Sequence, residues 1–415
     1  MFEANGMAAQ RDDQLVVVDL GSHRLRVAIF DFSDPDSPPE VIGLRAVPSA
    51  GIRNGGVVDR DAAGRALYEA MDAAAQMADV APNRVTLLVN GPSLSPETSS
   101  GTVGLAGEKV TATDTERALL VARDALSQRP RQQRLHEVIN HYVFDGRQRI
   151  RHPEQLGGGR RLQANLMGLN MSRSAVTNLV SVVEDIGLPV EAVVSSAYAA
   201  GYGALEERQR RLGSALLDLG HQTTTLSIWV GEELHHVACR AEGSWALSLA
   251  IARGLMVPLA EAERLKREQA GAVVEALADE SVEMQTLGLR PPRILNRRFL
   301  AQAIQEPLEG MLQWVAHEVT KTGLAEDLDC GLVLCGGGSR LVGLADFTES
   351  YLGVETRRAR RRPVAGLGSM LADESGDALA GMALLHRDDR LFAVGGAPKK
   401  AKPKTGWFSG WFSRA

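Results

Sequence analysis

The sequence predicts a two-lobed α/β protein, in which each lobe is a mixed sheet flanked by helices. The main observation is a duplicated unit: a buried strand, Asp-Leu-Gly, a polar turn and a second strand. It occurs as "VVVDLGSHRLRVAIFDF" near the start and as "LLDLGHQTTTLSIWV" in the second half. A glycine-rich turn, "CGGGSRL", follows a late apolar strand. One Asp-Gly hairpin turn is ordinary, so the prediction rests on the matching pair.

Composition limits the classes of protein to be considered. At 415 residues the chain is too long for one core, so several domains are expected. The 46 basic and 51 acidic residues give a net charge of −5, which argues against a nucleic-acid binder. The three cysteines form no CxxC pair, which is typical of reduced thiols. No signal peptide or membrane-spanning run is recognised, so we expect a cytoplasmic chain.

The elements of the first lobe follow in order along residues 13–89 and 176–211. After the hairpin we predict a strand at "EVIGLRAVP", a helix at "RDAAGRALYEAMDAAAQMA" and a buried strand at "RVTLLV". Residues 90–175 are predicted to be an inserted subdomain of short polar segments with one helix, "TDTERALLVARDALSQ". A helix at "SRSAVTNLVSVVEDIG" and a strand-to-helix unit at "PVEAVVSSAYAAGYGAL" return the chain to the first lobe.

The second lobe is assigned to residues 212–240 and 327–387. The intervening residues, 241–326, are predicted to be a helical subdomain that faces the ligand cleft. Residues 388–405 are rich in Pro, Gly and Lys, which is linker composition. The last segment, 406–415, is predicted to be a short amphipathic helix.

The glycine of each hairpin turn allows backbone N–H groups to approach a phosphate closely. Two such hairpins facing one cleft would hold a phosphate chain from both sides. The candidate phosphate-binding residues are Gly21, Ser22, His23 and Arg24 in the first turn and Gly220, His221, Gln222, Thr223 and Thr224 in the second. Asp19 and Asp218 are candidate Mg²⁺ ligands, directly or through water. The alternative is that both aspartates only cap their turns.

The late glycine turn is the candidate adenosine site. The bare backbone of Gly336, Gly337 and Gly338, with Arg340 close by, suits a flat adenine ring. In "AEAERLKREQAG", Glu263 and Lys266 lie one turn apart on one helix face, where they could bind ribose hydroxyls. The alternative for this pair is an ordinary exposed salt bridge.

This order of parts resembles the actin-like ATPase superfamily, which has a ribonuclease H-like fold. The closer similarity, over nearly the whole chain, is to the bacterial cell-division FtsA family. "DLGSHRLRVAIF" resembles that family's first phosphate loop, "LLDLGHQTTTLSIW" its second and "GLVLCGGGSRLVGL" its adenosine loop. Residues 90–175 lie where the family carries its extra subdomain, which contacts other division proteins.

The resemblance implies a function as well as a fold. It implies ATP and Mg²⁺ as ligands, self-assembly into filaments, and a role in tethering the FtsZ ring to the cytoplasmic membrane at the division septum. Other divisome proteins are implied as partners. The FtsZ contact rests on the resemblance alone, and no residues are assigned to it.

The second phosphate loop departs from the family's pattern, Asp-(Ile/Leu)-Gly-Gly-Gly-Thr. His221 and Gln222 replace two glycines, and Thr225 stands where aspartate is common. A side chain there costs about 1 kcal/mol if the backbone needs a positive φ. In the first loop, His23 and Arg24 replace small or lysine residues, and the guanidinium still suits phosphate. We therefore expect ATP binding with at most weak ATPase activity, and we assign no catalytic base.

The last ten residues carry four large aromatic side chains. Trp407, Phe408, Trp411 and Phe412 fall on one side of a helix, and lysines precede them. This pattern predicts a helix that lies in the surface of a membrane and is attracted by anionic lipid. The alternative is a helix that docks back onto the fold.

Three other functions remain open on the sequence alone. They are a PilM-like pilus-assembly protein, an FtsA paralogue with degenerate nucleotide binding, and a small-molecule kinase of the same superfamily. A kinase would need a catalytic aspartate in the cleft and has no use for an aromatic tail.

Overall fold

The structure is a computed structural model, and it describes residues 7–107, 109–126, 130–146, 148–154, 156–157, 159–274, 280–288, 291–371 and 376–388. Apart from Asp388, the predicted linker (388–405) lies outside these residues, as does the whole of the predicted terminal helix (406–415) with its four aromatic residues.

The first lobe is built on a five-stranded mixed sheet. Its strands, in spatial order, are Val190–Ser195, Val85–Val89, Gln14–Leu20, Arg24–Asp31 and Glu40–Pro48. The first three strands run parallel, and the last two continue the sheet antiparallel. The helices Arg60–Ala78 and Arg173–Asp185 pack beside it. The central strand is buried, and its residues Val16, Val17 and Val18 are all inaccessible to solvent.

The second lobe repeats this arrangement. Its strands, in spatial order, are Glu233–Arg240, Thr224–Val230, Ser214–Leu219, Leu332–Cys335 and Thr356–Arg358. The first three are antiparallel, and the last two run parallel to Ser214–Leu219. The hairpin that the sequence predicted twice therefore supplies, in each lobe, the first two strands of the sheet in chain order.

Two tightly packed helices lie between the sheets. They are Ser196–Ala204 and Asp377–Arg387, and they contact strands of both lobes. A Cβ at Gly203 would lie 1.8 Å from the carbonyl oxygen of Asp377, and one at Gly381 would lie 1.7 Å from that of Ala199. Only glycine permits this close approach of the two helix backbones.

The inserted region forms a four-stranded antiparallel sheet with its own core. In spatial order the strands are Gln148–Ile150, Gln132–Phe144, Arg161–Ser172 and Ser95–Gly104, and the helix Ala112–Ala125 packs against them. The expectation of short polar segments was wrong, since two strands have 13 and 12 residues. Two β-bulges in Gln132–Phe144 interrupt the alternation by which a strand is recognised in a sequence.

Residues 241–326 are not helical throughout. The helices are Trp245–Leu255, Leu259–Glu268 and Arg298–Thr322. Between the last two lies a two-stranded hairpin, Ser281–Met284 paired with Arg293–Asn296, which the sequence reading missed. Its strands are four residues each, too short to show a clear period.

The remaining elements are short. They are the paired strands Ala8–Ala9 with Val80–Ala81 and Ile52–Arg53 with Gly56–Val57, the α-helices Glu207–Leu212, Leu344–Leu352 and Leu367–Met370, and the 3₁₀ helices Ala325–Asp327 and Gly337–Arg340. Within the described part of the chain, no single helix is long and apolar enough to cross a membrane; only the bent pair Trp245–Leu255 and Leu259–Glu268 reaches that length and composition together.

Candidate functional site

The two Asp-Leu-Gly hairpins face one cleft between the lobes, with a cavity volume of about 450 Å³. The helix Leu259–Glu268 and the triple-glycine turn form its other walls. The cleft is lined by these predicted residues: Asp19, Gly21, Ser22, His23, Arg24, Asp218, Gly220, His221, Thr223, Glu263, Lys266, Gly336, Gly337, Gly338 and Arg340. Two turns that are far apart in sequence thus meet at one crevice.

Two of the predicted phosphate-binding residues lie outside this lining. The Gln222 side chain accepts a hydrogen bond from the backbone N–H of Asn54 at 3.0 Å, so it connects the second hairpin to the first lobe. Thr224 is fully buried, and its hydroxyl donates to the carbonyl of Glu242 at 2.7 Å. Thr224 begins the strand Thr224–Val230, whereas Thr223, in the turn before it, does line the cleft.

The hairpin glycines are needed for space. A Cβ at Gly21 would lie 2.6 Å from the carbonyl oxygen of Arg24, and one at Gly220 would lie 2.9 Å from that of Thr223. None of the turn residues has a positive φ, and this includes His221 and Gln222. The backbone cost expected for these two replacements therefore does not arise.

The aspartates of the two hairpins lie in a carboxylate-rich part of the cleft. Arg26 forms an ion pair with Asp19, with Nη1 3.2 Å from Oδ2. Burial raises the pKa of Asp19, and Arg26 opposes the shift. Burial, with Asp377 and Asp19 nearby, raises the pKa of Asp218 to about 7. A cation would relieve this accumulation of negative charge.

Asn90 adds a neutral oxygen to the same cleft. Its amide nitrogen donates to the hydroxyl of Thr225 at 2.8 Å, across the two lobes. Its Oδ1 is buried and has no hydrogen-bond partner, so it is available to a ligand or to ligand-bound water. Among the described residues no group of three or more His, Cys, Asp or Glu side chains is placed to hold a metal ion. The oxygen donors present suit Mg²⁺ held largely through water.

The Glu263–Lys266 ion pair is largely buried. The alternative given from the sequence, an exposed salt bridge, is therefore wrong. Lys266 is 7% exposed, and its Nζ lies 2.7 Å from Glu263 and donates to the carbonyl of Ser244 at 3.2 Å. Glu263 also accepts a hydrogen bond from Ser248. Burial lowers the pKa of Lys266, and Glu263 opposes the shift. The contacts of Lys266 with Ser244 and of Glu263 with Ser248 hold the helix Leu259–Glu268 against residues 244–248.

The triple-glycine turn packs directly on the second hairpin. Gly336 has φ +78°, and a Cβ there would lie 2.2 Å from a carboxylate oxygen of Asp218. A Cβ at Gly338 would lie 2.4 Å from the side chain of Leu219. At Gly337 a Cβ would meet nothing within 4 Å, so this residue presents bare backbone to open space. That surface suits a flat ring.

Two histidines meet across the cleft. The rings of His23 and His221 have their centroids 4.8 Å apart, and the ring of His221 lies 4.9 Å from that of Trp245. The backbone N–H of Trp245 donates to the carbonyl of His221 at 2.7 Å, which holds the turn in place. Burial lowers the pKa of both histidines, that of His221 to about 4.

The sequence analysis missed several lining residues, which are Arg26, Asn90, Ser196, Ser244, Arg267 and Asp377. A signal existed only for Arg26. In the first hairpin Arg26 pairs directly opposite Asp19, a register that the two-residue period of the strands implies. The other residues come from elements whose approach to the cleft depends on tertiary packing.

Comparison with known proteins identifies the family. A family model described as "Cell division protein FtsA" matches residues 215–376. The cell division protein FtsA of Escherichia coli K12 is 28% identical over 370 residues, 87% of each chain. That of Agrobacterium fabrum is 30% identical over 338 residues, which are 79% of this chain and 74% of the relative. The chain belongs to the FtsA family.

Solved structures agree with this assignment at the level of the fold. The PilM–PilN type IV pilus biogenesis complex is similar with a TM-score of 0.61 and 17% identity, over 90% of this chain and 98% of that one. MreB5 of Spiroplasma citri bound to ADP has a TM-score of 0.56 and 13% identity, over 91% and 98%. The fold of this FtsA-family chain is therefore the actin-like one.

Proposed function

We propose that this chain is an ATP-binding cell-division protein that forms filaments and tethers the FtsZ ring to the cytoplasmic membrane. The observation that supports this most is the cleft itself, in which both hairpin turns, the buried Glu263–Lys266 pair and the triple-glycine turn converge in a member of the FtsA family. Catalysis is not part of the proposal.

The nucleotide would lie along the cleft with its phosphates at the hairpin turns and its adenine at the triple-glycine turn. The hairpin turns at Gly21 and Gly220 would receive the phosphates, Glu263 and Lys266 the ribose, and Gly337 the adenine. Asp19 and Asp218 would hold Mg²⁺ through water, and the ion would neutralise part of the phosphate charge. The protein's own contribution is to bind and orient the nucleotide between two lobes, so that the bound ligand favours their closed arrangement.

Substitution of Gly337 tests the nucleotide site without disturbing the fold. Gly337→Val places its Cβ in open space, so the protein should fold normally while the added methyl groups fill the adenine position. We expect calorimetric titration with MgATP to show at least about tenfold weaker binding than in the natural chain. Gly104→Val, also at a position where a Cβ meets nothing, is the control and should bind normally. Equal affinities in all three proteins would contradict the proposed site.

The proposed tethering role gives each segment of the chain a separate function. We propose that residues 13–89 with 176–211 and residues 212–240 with 327–387 are the two lobes, and that 241–326 form a nucleotide-facing subdomain. Residues 90–175 would bind other divisome proteins, and 388–405 would be a linker to a membrane-targeting helix at 406–415. On this proposal the protein would lie on the inner face of the membrane at the septum.

Deletion of residues 406–415 tests the membrane contact. The four aromatic residues contribute about 1–2 kcal/mol each on partial burial, and each nearby basic residue contributes about 1 kcal/mol. Several tails on one filament would bind together far more tightly than one. We expect co-sedimentation with anionic liposomes to be lost on deletion, together with recruitment of added FtsZ to those liposomes. A version in which Trp407 and Trp411 are exchanged for Phe should still bind, and unchanged binding after the deletion would refute the tether.

A further inference from the structure

We propose that His23 and His221 form a proton-accepting pair that contacts the phosphate chain, so that this protein binds its nucleotide together with protons. This inference rests on the proposed function, because it concerns the same nucleotide site. Both side chains belong to the hairpin turns, one from each lobe, and both line the cleft. Their ring centroids are 4.8 Å apart, so an anion at this point contacts both.

The backbone holds both rings at the cleft. The carbonyl of His23 accepts a hydrogen bond from the backbone N–H of Ser49 at 2.9 Å, and the carbonyl of His221 accepts one from Trp245 at 2.7 Å. The ring of His221 also packs against the indole of Trp245. The two turns therefore hold both imidazole rings at the cleft.

The charged groups around the pair favour neutral imidazoles until an anion arrives. The first hairpin contributes Arg24, and the helix Leu259–Glu268 contributes Lys266, Arg267 and the opposing carboxylate of Glu263. Arg340 lines the same cleft from the triple-glycine turn. Burial is the main cause that lowers the pKa of both histidines. Arg24, Arg267 and Lys266 add to the shift at His23. The ring of His23 and Lys266 add to it at His221, and Glu263 opposes the shift at both.

A triphosphate reverses this balance. It brings several negative charges between the two turns, and a nearby anion raises the pKa of an imidazole. The bound state then holds more protons than the free state, so affinity increases as pH falls. Uptake of one proton corresponds to roughly a tenfold gain in affinity for each pH unit by which the solution is acidified.

The test is proton uptake during MgATP binding. Titration calorimetry at about pH 7 in buffers of different ionisation enthalpy gives the number of protons exchanged. We expect the natural chain to take up about one to two protons more than the double variant His23→Gln/His221→Gln, and its affinity to rise more steeply between about pH 8 and pH 6. His317→Gln, at an exposed histidine on the helix Arg298–Thr322, should behave as the natural chain does.

The outcomes separate the two proposals. MgATP binding with the same proton uptake in the natural chain and the double variant overturns the histidine pair and leaves the nucleotide site standing. Absence of MgATP binding at any pH overturns both. If the double variant does not fold, ¹⁵N NMR of the histidine rings in the natural chain decides: ring signals that move toward the imidazolium form on addition of MgATP support the pair, and unmoved signals contradict it.

Discussion

The fold brings three carboxylates of the cleft close together. Asp218 lies near Asp19 and Asp377, and its pKa rises to about 7 from an ordinary value of 3.8. Its folded-state pKa is therefore above the unfolded one. The corresponding stability is complete below about pH 4 and is lost as pH rises through about 7.

The variant Asp218→Asn should change this pH dependence. Above about pH 7 the charged carboxylate destabilises the natural chain, so the neutral variant should be more stable by on the order of 2–4 kcal/mol in the absence of Mg²⁺ and nucleotide. Below about pH 5 the two proteins should differ little. Urea unfolding at both pH values measures this, with the exposed Asp124→Asn as control. A stability difference that does not grow with pH would show that Asp218 is ordinarily ionised.

Among single residues, most of those predicted from the two repeated turns line the cleft, whereas Gln222 and Thr224 do not. The sequence analysis assigned Gln222 and Thr224 to the phosphates because they follow Gly220, but Gln222 accepts from Asn54 and Thr224 is fully buried. Asn90 and Asp377 were missed because they reach the cleft from a strand end and a helix start that are distant in sequence. No local pattern records that approach.

The helix Leu259–Glu268 is joined to its neighbours by a buried lysine, since Lys266 donates to the carbonyl of Ser244. Two Glu–Lys pairs have the same three-residue spacing. Lys266 is 7% exposed and lies 2.7 Å from Glu263, whereas Lys321 is 61% exposed and lies 3.6 Å from Glu318. Glu318 also pairs with His236 at 3.0 Å, so it keeps a partner without Lys321. A buried pair leaves an uncompensated charge when one partner is removed, while an exposed pair loses little.

Removal of each lysine compares the two pairs directly. We expect Lys266→Met to lower the free energy of unfolding by about 2–4 kcal/mol and to weaken MgATP binding. Lys321→Met should cost less than about 0.5 kcal/mol. Chemical denaturation of both variants measures the difference. Equal losses would mean that Lys266 does not anchor its helix.

Helices and strands were predictable to different degrees. The helix Arg60–Ala78 lies where its apolar spacing predicts it. In the structure the Asp59 carboxylate caps this helix, because it accepts from the N–H of Ala62. The long strand Gln132–Phe144 was missed, because its bulges shift the alternation and its partner Arg161–Ser172 is almost wholly buried near its end. Pairing between distant strands, rather than local sequence, makes these segments regular.

In the whole molecule, a small number of polar contacts join the lobes around the cleft. Asn90 bonds Thr225, and Asn54 bonds Gln222, so the second hairpin is connected at two points to the first lobe. The inserted subdomain reaches the second lobe as well, where Arg151 forms ion pairs with Glu232 at 2.8 Å and with Glu233 at 2.5 Å. The contacts of Asn90 with Thr225 and of Gln222 with Asn54 lie beside the proposed phosphate site. A ligand at that site would therefore act on the interface between the lobes.

A crystal or cryo-electron microscopy structure of the chain with MgATP is the most direct test of the proposed nucleotide site. We expect phosphates between the turns at Gly21 and Gly220, a cation near Asp19 and Asp218, and adenine against Gly337. A nucleotide bound outside this cleft, or a saturated sample whose cleft contains none, would contradict this proposal.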